Sequence, residues 1–233
     1  MRPSQSLILL PGTLMDASSL RPLAAALDRP AHIELLGVKD DFNAEIDRLA
    51  ALAMPSTVWI GHSLGGIAAL HLAARRPECC AALVVIASNV RPDGPLGAHN
   101  RTQQWAALSR GGMAALLRQQ LAPVYGIQDD DPLIDQLQAQ AQTVGAERYR
   151  RQLRYAAERP GLLHGMSTLR MPVLALSGGD DPLCPPECAE EIIARSLDAR
   201  SRHRVLPGAG HLLPLQAPDW CTQQIRDFLA PLA

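Results

Sequence analysis

Five residues constrain the path of this chain more tightly than any others: Gly61-His62-Ser63-Leu64-Gly65. They follow residues 57–60, a β-branched and aromatic run with strand character. They precede residues 66–75, which have helical periodicity and stop short of Pro77. A Gly-x-Ser-x-Gly run joining a strand to a helix demands a sharp turn with the serine at its tip. Gly61 and Gly65 leave room for the chain to pass close to itself. The hydroxyl then stands clear of the strand's carboxyl end, and the helix aims its unpaired N–H groups at the same spot. An oxyanion forming beside Ser63 would be stabilised there.

The flanking sequence repeats that rhythm. Short apolar runs at 6–10, 32–36, 57–60, 82–87, 173–177 and 201–206 read as strands. Helical spacing at 19–27, 43–53, 66–75, 186–196 and 220–229 fills the intervals. Alternation of this kind predicts an α/β fold: a mostly parallel central sheet covered by helices on both faces. Residues 91–168 break the pattern. They are rich in Gln, Arg, Ala and Leu, and predict helices at 100–109, 113–121, 132–144 and 146–157. The expected organisation is a core of residues 1–90 and 169–233, with a helical insertion at 91–168.

A serine hydroxyl is a poor nucleophile near neutral pH and needs a base, itself oriented by an acid. Of seven histidines, His32 and His203 fall in predicted strands, His71 in a helix, and His99 and His164 in the insertion. His62 adjoins the serine, but its side chain leaves the turn in another direction and is expected to pack inside. His211, in Pro-Gly-Ala-Gly-His after the last strand, sits on a Gly-rich loop able to reach Ser63. For the acid, Ser-Gly-Gly-Asp-Asp-Pro-Leu-Cys-Pro follows the strand at 173–177. Spacing from Gly178 selects Asp181, with Asp180 as the alternative.

These motifs resemble the α/β-hydrolase superfamily, specifically its small bacterial carboxylesterase-like and thioesterase-like members. The matching runs are Leu-Leu-Pro-Gly-Thr-Leu near the start, Gly-His-Ser-Leu-Gly-Gly, Gly-Gly-Asp-Asp-Pro-Leu-Cys-Pro and Gly-Ala-Gly-His. The resemblance implies the α/β-hydrolase fold with residues 91–168 as a lid over the serine. It also implies an oxyanion hole made by the backbone N–H groups of Leu64 and Thr13, with Leu14 as runner-up for the second. Two departures stand out. Only six residues precede Leu7, so the family's usual first hairpin is not expected. The loop after the second strand, Leu36-Gly37-Val38-Lys39-Asp40-Asp41, replaces the usual Asp-x-x-Gly-x-Gly with a shorter run, which would leave the site more open on that side.

Composition bears mainly on partners. The 233 residues carry a formal net charge of −1, which gives no case for nucleic acid or a membrane surface. There is no signal-peptide pattern and no run of about 20 apolar residues, so a cytoplasmic protein is expected. The cysteines are Cys79, Cys80, Cys184, Cys188 and Cys221, an odd number that argues against a disulfide framework. Cys184 and Cys188 have a metal-like spacing without a second pair, so neither metal nor cofactor is expected.

The predicted activity is hydrolysis of a small carboxylic ester or thioester through an acyl-enzyme on Ser63, with a small-molecule acyl substrate. Carbon–carbon bond hydrolysis, lactone opening or acyl transfer on the same residues is the alternative, and a non-enzymatic ligand-binding role is a further one. Specificity should lie in the insertion. There Arg148, Arg150, Arg151, Arg154 and Arg159 face Glu147 and Glu158, and could dock an acidic carrier protein or a carboxylate. Lys39 is the only lysine among 22 basic residues, so an arginine cluster is weak evidence here, and a solvated helix face is the better reading. Asp129 to Asp131 reads as a helix start rather than a cation site.

Overall fold

A computed structural model describes residues 5–54, 56–128, 130–162 and 169–232. His164 and Asp129 lie outside the described residues. The chain opens with β1 (Leu7–Leu10), a wholly buried run, then α1 (Arg21–Ala26), started by a Pro in its first turn. Next come β2 (Ala31–Ile33), α2 (Phe42–Ala50), β3 (Val58–His62), α3 (Leu64–Arg75) and β4 (Ala82–Ile86). The Asp41 side chain caps α2 by accepting from the Ala44 N–H.

Between β4 and β5 the described chain is largely helical. It comprises α4 (Pro95–Leu116), a π-helical turn at Leu117–Leu121, α5 (Ala122–Tyr125) and α6 (Leu133–Glu158). The two long helices are each broken by a glycine in a non-helical, positive-φ conformation: Gly112 (φ 69°, ψ −164°) and Gly145 (φ 78°, ψ 163°). These breaks fall at the boundaries predicted between 109 and 113 and between 144 and 146. α4 starts five residues earlier than the predicted 100, because Pro95 suits a first helical turn. The chain closes with β5 (Val173–Gly178), α7 (Pro186–Ile193), β6 (Arg202–Leu206), α8 (Leu213–Gln216) and α9 (Pro218–Leu229).

The six strands form one sheet in the order β2-β1-β3-β4-β5-β6, and every neighbouring pair is parallel. Side chains alternate between its faces as a strand's period of two requires. Ile8, Leu10, Trp59, Leu83 and Val85 pack with α2, α3 and α7 on one side. Leu7, Leu9, Val58, Ile60 and Val84 pack with α1 and α9 on the other. A third apolar cluster, including Leu117, Leu121, Tyr125, Ile134 and Tyr149, joins the helical segment to Leu14, Met15 and Leu212 on the loops after β1 and β6.

The chain passes from β1 outward to β2, then returns to place β3 on the other side of β1. The carboxyl ends of β1 and β3 therefore flank the point where strand order reverses, the crevice where open α/β sheets bind ligands. The loop carrying Thr13 and the turn carrying Ser63 both leave from there, with Leu10 in register with Gly61.

Candidate active site

Ser63 sits between β3 and α3 with φ 51° and ψ −117°, a left-side conformation that costs a non-glycine residue about 1–3 kcal/mol. Its surroundings enforce it. The Ser63 N–H donates to Ile86 O at 2.9 Å, its carbonyl accepts from Ile67 N–H at 3.0 Å, and the Ser88 hydroxyl donates to the same carbonyl at 3.0 Å. The flanking glycines are needed for space. A Cβ on Gly65 would stand 2.1 Å from Leu10 O, and one on Gly61 2.4 Å from Gly65 O.

His211 and Asp181 meet Ser63 across the carboxyl edge of the sheet. His211 Nε2 lies 2.9 Å from Ser63 Oγ, and His211 Nδ1 lies 2.9 Å and 3.1 Å from the two Asp181 oxygens. His211 and Asp181 are 0% and 3% exposed, whereas Asp180 points to solvent, so the geometry favours Asp181 as the spacing did. Burial opposes ionisation of Asp181. It is outweighed by the hydrogen bond and charge of His211 and by the Cys184 and Leu183 N–H groups, so the carboxyl is held below its usual range. An ionised Asp181 only accepts, which puts the imidazole proton on Nδ1 and leaves Nε2 to accept from the Ser63 hydroxyl. The arrangement can therefore withdraw the hydroxyl proton as Ser63 attacks an electrophile.

Three further residues hold this geometry, and the contacts they make are not legible in the sequence. The ring of Tyr125, on the helical segment, stacks on His211 at 5.2 Å and 14°. Buried His62 donates from Nε2 to the His211 carbonyl at 2.9 Å. It packs inside as expected, but its role in fixing His211 was not foreseen. Burial, and to a lesser degree the nearby His211, push the His62 pKa down to about 3, so the ring is neutral. Gln152 of α6 accepts from the Leu14 N–H at 3.0 Å and donates to Leu36 O at 3.2 Å.

The Gln152 bond bears on the expected oxyanion donors. Leu14 N–H is engaged by Gln152. Thr13, by contrast, lines the cavity beside Ser63 and Leu64. Leu64 opens α3, so its N–H has no carbonyl one helical turn back to receive it.

Above Ser63 a cavity of about 420 Å³ lies between the sheet's edge and the helical segment. A second hollow, of about 480 Å³ beside α1 and β2, contains none of these residues and is open to solvent. The side expected to be open is closed. α6 covers the loop after β2 through Arg151 to Asp40 at 3.0 Å, Arg154 to Asp40 O at 3.0 Å, Tyr155 to Lys39 O and Gln152 to Leu36 O. The shorter loop is compensated by a helix docked on it.

Asp181, Cys184 and His211 place one ligating atom each within 4.8 Å of one another. Two of the three are already bonded to each other, and the Cys184 sulfur accepts from Asn89 Nδ2 at 3.4 Å. All five cysteines are free thiols.

A parallel sheet with a serine at a strained strand-to-helix turn, faced by a histidine and an aspartate from later loops, defines a hydrolase class. The chain belongs to the alpha/beta hydrolase family, whose model matches residues 7–224, and it is an enzyme of the ester-hydrolysing kind. It is 29% identical over 219 residues to a pimeloyl-(acyl-carrier protein) methyl ester esterase of Neisseria meningitidis serogroup B, with 88% of this chain and 81% of that protein covered. Among solved structures it is similar to MenH from S. aureus, with a TM-score of 0.82, 17% identity, and 100% and 96% of the two chains covered. It is also similar to a thermophilic esterase from Thermogutta terrifontis, with a TM-score of 0.78, 23% identity, and 98% and 90% covered. At these identities the two structures speak to the fold alone. No helix among the described residues is long and apolar enough to cross a membrane.

Proposed function

We propose that this chain is a serine esterase in which Ser63 is the nucleophile, His211 the general base and acid, and Asp181 the group that orients His211. The observation carrying this reading is the unbroken run of hydrogen bonds from Asp181 through His211 to Ser63, with both inner contacts at 2.9 Å. The Ser63 oxygen attacks the ester carbonyl while its proton passes to His211 Nε2, and Asp181 stabilises the imidazolium. The oxyanion of the tetrahedral intermediate accepts from the N–H groups of Leu64 and Thr13, each worth about 3–4 kcal/mol to the transition state. His211 then protonates the departing alkoxide, leaving an acyl-enzyme. Water, deprotonated by His211, attacks the acyl carbon. Collapse frees the carboxylic acid and returns the proton to Ser63.

The helical segment at 91–168 serves in this reading as a lid that forms the outer wall of the acyl cavity. The relative's name suggests a finer assignment, the methyl ester of an acyl chain carried on an acyl-carrier protein, and in this reading the carrier is acidic and the enzyme cytoplasmic. Arg150 and Arg154, both about half exposed on α6, offer such a carrier a basic face, although each already pairs with a glutamate one turn away.

Hydrolysis of short-chain p-nitrophenyl esters by wild type and Ser63→Ala, together with fluorophosphonate labelling, tests the assignment. Turnover lost in Ser63→Ala and a covalent adduct on Ser63 are expected. An adduct elsewhere, or full activity in Ser63→Ala, would refute it. Comparing a carrier-bound acyl methyl ester with the free ester tests the carrier.

A further inference from the structure

The charges lining the cavity do not balance. Arg91, Asp93, Arg101 and Arg159 all contribute to its wall. Arg91 is forked onto Glu191, with Nε at 3.2 Å and 3.0 Å from the two carboxylate oxygens and Nη2 at 2.7 Å. Arg101 is likewise forked onto both oxygens of Asp93, with Nη1 at 2.7 Å from Oδ1. Those two pairs use both carboxylates. Arg159 has none. Its Nε donates to Arg91 O at 3.1 Å and its Nη1 to Ala156 O, and no carboxylate among the described residues pairs with it.

Backbone carbonyls fix where a guanidinium sits without neutralising it. Arg159 follows the last turn of α6, so the carbonyl end of that helix offsets a fraction of its charge. The remainder is an unmatched cation in a recess, which is costly unless a partner arrives. Burial lowers the Arg159 pKa, and Arg159 in turn helps to lower that of Arg101. An arginine nevertheless stays charged at any pH where an esterase works. Arg159 thus differs from Arg150, Arg151 and Arg154, which pair with acidic side chains at the surface of α6.

We propose that Arg159 receives a carboxylate carried on the acyl substrate, so that the preferred substrates are half-esters of dicarboxylic acids, with the ester at Ser63 and the free carboxylate at Arg159. The inference rests on the esterase reading of Ser63 and adds the chemical class of the acyl group; it replaces the carrier-linked ester, whose far carboxyl is tied up in the link to the carrier, with one whose far carboxyl is free. A single uncompensated positive charge matches a singly charged carboxylate, and the planar guanidinium fork matches its two oxygens. The charged end, already bonded through Nε and Nη1, is held in position before substrate enters, which lowers the ordering cost of binding.

The test compares kcat/KM for monomethyl and dimethyl adipate, with the glutarate and pimelate homologues covering chain length, at low and high ionic strength. Wild type should favour the best half-ester over its diester by about tenfold or more at low salt, mainly through KM, with the preference shrinking in high salt. The selectivity ratio should collapse towards about one in Arg159→Gln and be partly restored in Arg159→Lys, which keeps the charge but not the fork. The unesterified diacid should inhibit competitively in wild type. Urea midpoints of the variants separate lost selectivity from lost folding, and the wild-type comparison needs no variant at all. A wild-type preference for the diester, or a ratio unchanged in a folded Arg159→Gln, would overturn the inference. Hydrolysis of diesters with labelling of Ser63 but no half-ester preference sinks the Arg159 assignment alone, whereas failure to label Ser63 or to cleave any ester sinks the esterase reading beneath it.

Discussion

His62 and His211 are tied through the backbone rather than through their rings: His62 Nε2 donates to the His211 carbonyl at 2.9 Å, while the His211 ring is left free to face Ser63 and Asp181. The residue just before the serine thus tethers the loop that carries His211, the base in the proposed mechanism. Replacing His62 with Phe fills the space but leaves that carbonyl buried and unpaired, a cost of about 1–3 kcal/mol. The expected result is a kcat reduced by about tenfold or more with little change in KM, read by steady-state kinetics beside a urea melt. Equal kcat in a stably folded His62→Phe would show that the tie does not matter to catalysis.

Asp181 and Asp180 are neighbours with opposite environments, one sealed against His211 and the other in solvent. Asp181→Asn removes the charge and offers Nδ1 an amide NH2 donor, which favours the wrong imidazole tautomer, so kcat should fall by about 10⁴-fold. Asp180→Asn should stay within about twofold of wild type. Reversal of that order in esterase assays would reassign the acid.

Gln152 reaches from α6 to pin the Leu14 amide on one side and the Leu36 carbonyl on the other. Gln152→Leu strands both groups in a buried place, at about 1–3 kcal/mol for each. It also loosens the loop that presents Thr13. A fall in kcat of about tenfold, accompanied by a lower urea midpoint, is the expected outcome. Stability lost without any kcat effect would mean that the loop holds its shape unaided.

Two buried histidines make the fold sensitive to acid. The His62 pKa is pushed down to about 3 and that of His71 to about 4, in both cases mainly by burial. A folded pKa below the unfolded value of about 6.5 means that the unfolded chain binds protons first. The stabilisation is complete above pH 6.5 and drains away as pH falls towards 4, at up to about 1.4 kcal/mol per pH unit for each histidine. Urea midpoints measured from pH 7 to pH 4 should drop accordingly. The drop should be shallower in His71→Phe, which keeps an aromatic ring against Phe42. An identical pH slope in that variant would remove His71 from the account.

Much of this site could be read from short runs of sequence because its chemistry is local. Ser63 needs glycines on either side within five residues, and Asp181 and His211 each sit in a Gly-rich loop directly after a strand. The alternating strands and helices were equally legible, since burial on both faces leaves a continuous apolar run such as Leu7–Leu10. What escaped was tertiary. Helical periodicity gives Gln152 a place on a helix but not the neighbour that the helix will meet, and Tyr125 and Arg159 fall outside the helices the sequence predicts. Arg159 is indistinguishable by sequence from the surface arginines before it. The closure of the loop after β2 was missed for the same reason, because its cover comes from α6, more than 100 positions away in sequence.

The parallel sheet has a kinetic consequence. Ser63 and His211 are 148 positions apart, and their loops are aligned only after β3 and β6 have been placed in one sheet with β4 and β5 between them. Contacts of such long range form slowly, because the entropy of closing the intervening chain is lost before the contact repays it. On refolding, helical signal should therefore return early and esterase turnover last, which makes catalysis itself a reporter of the completed sheet.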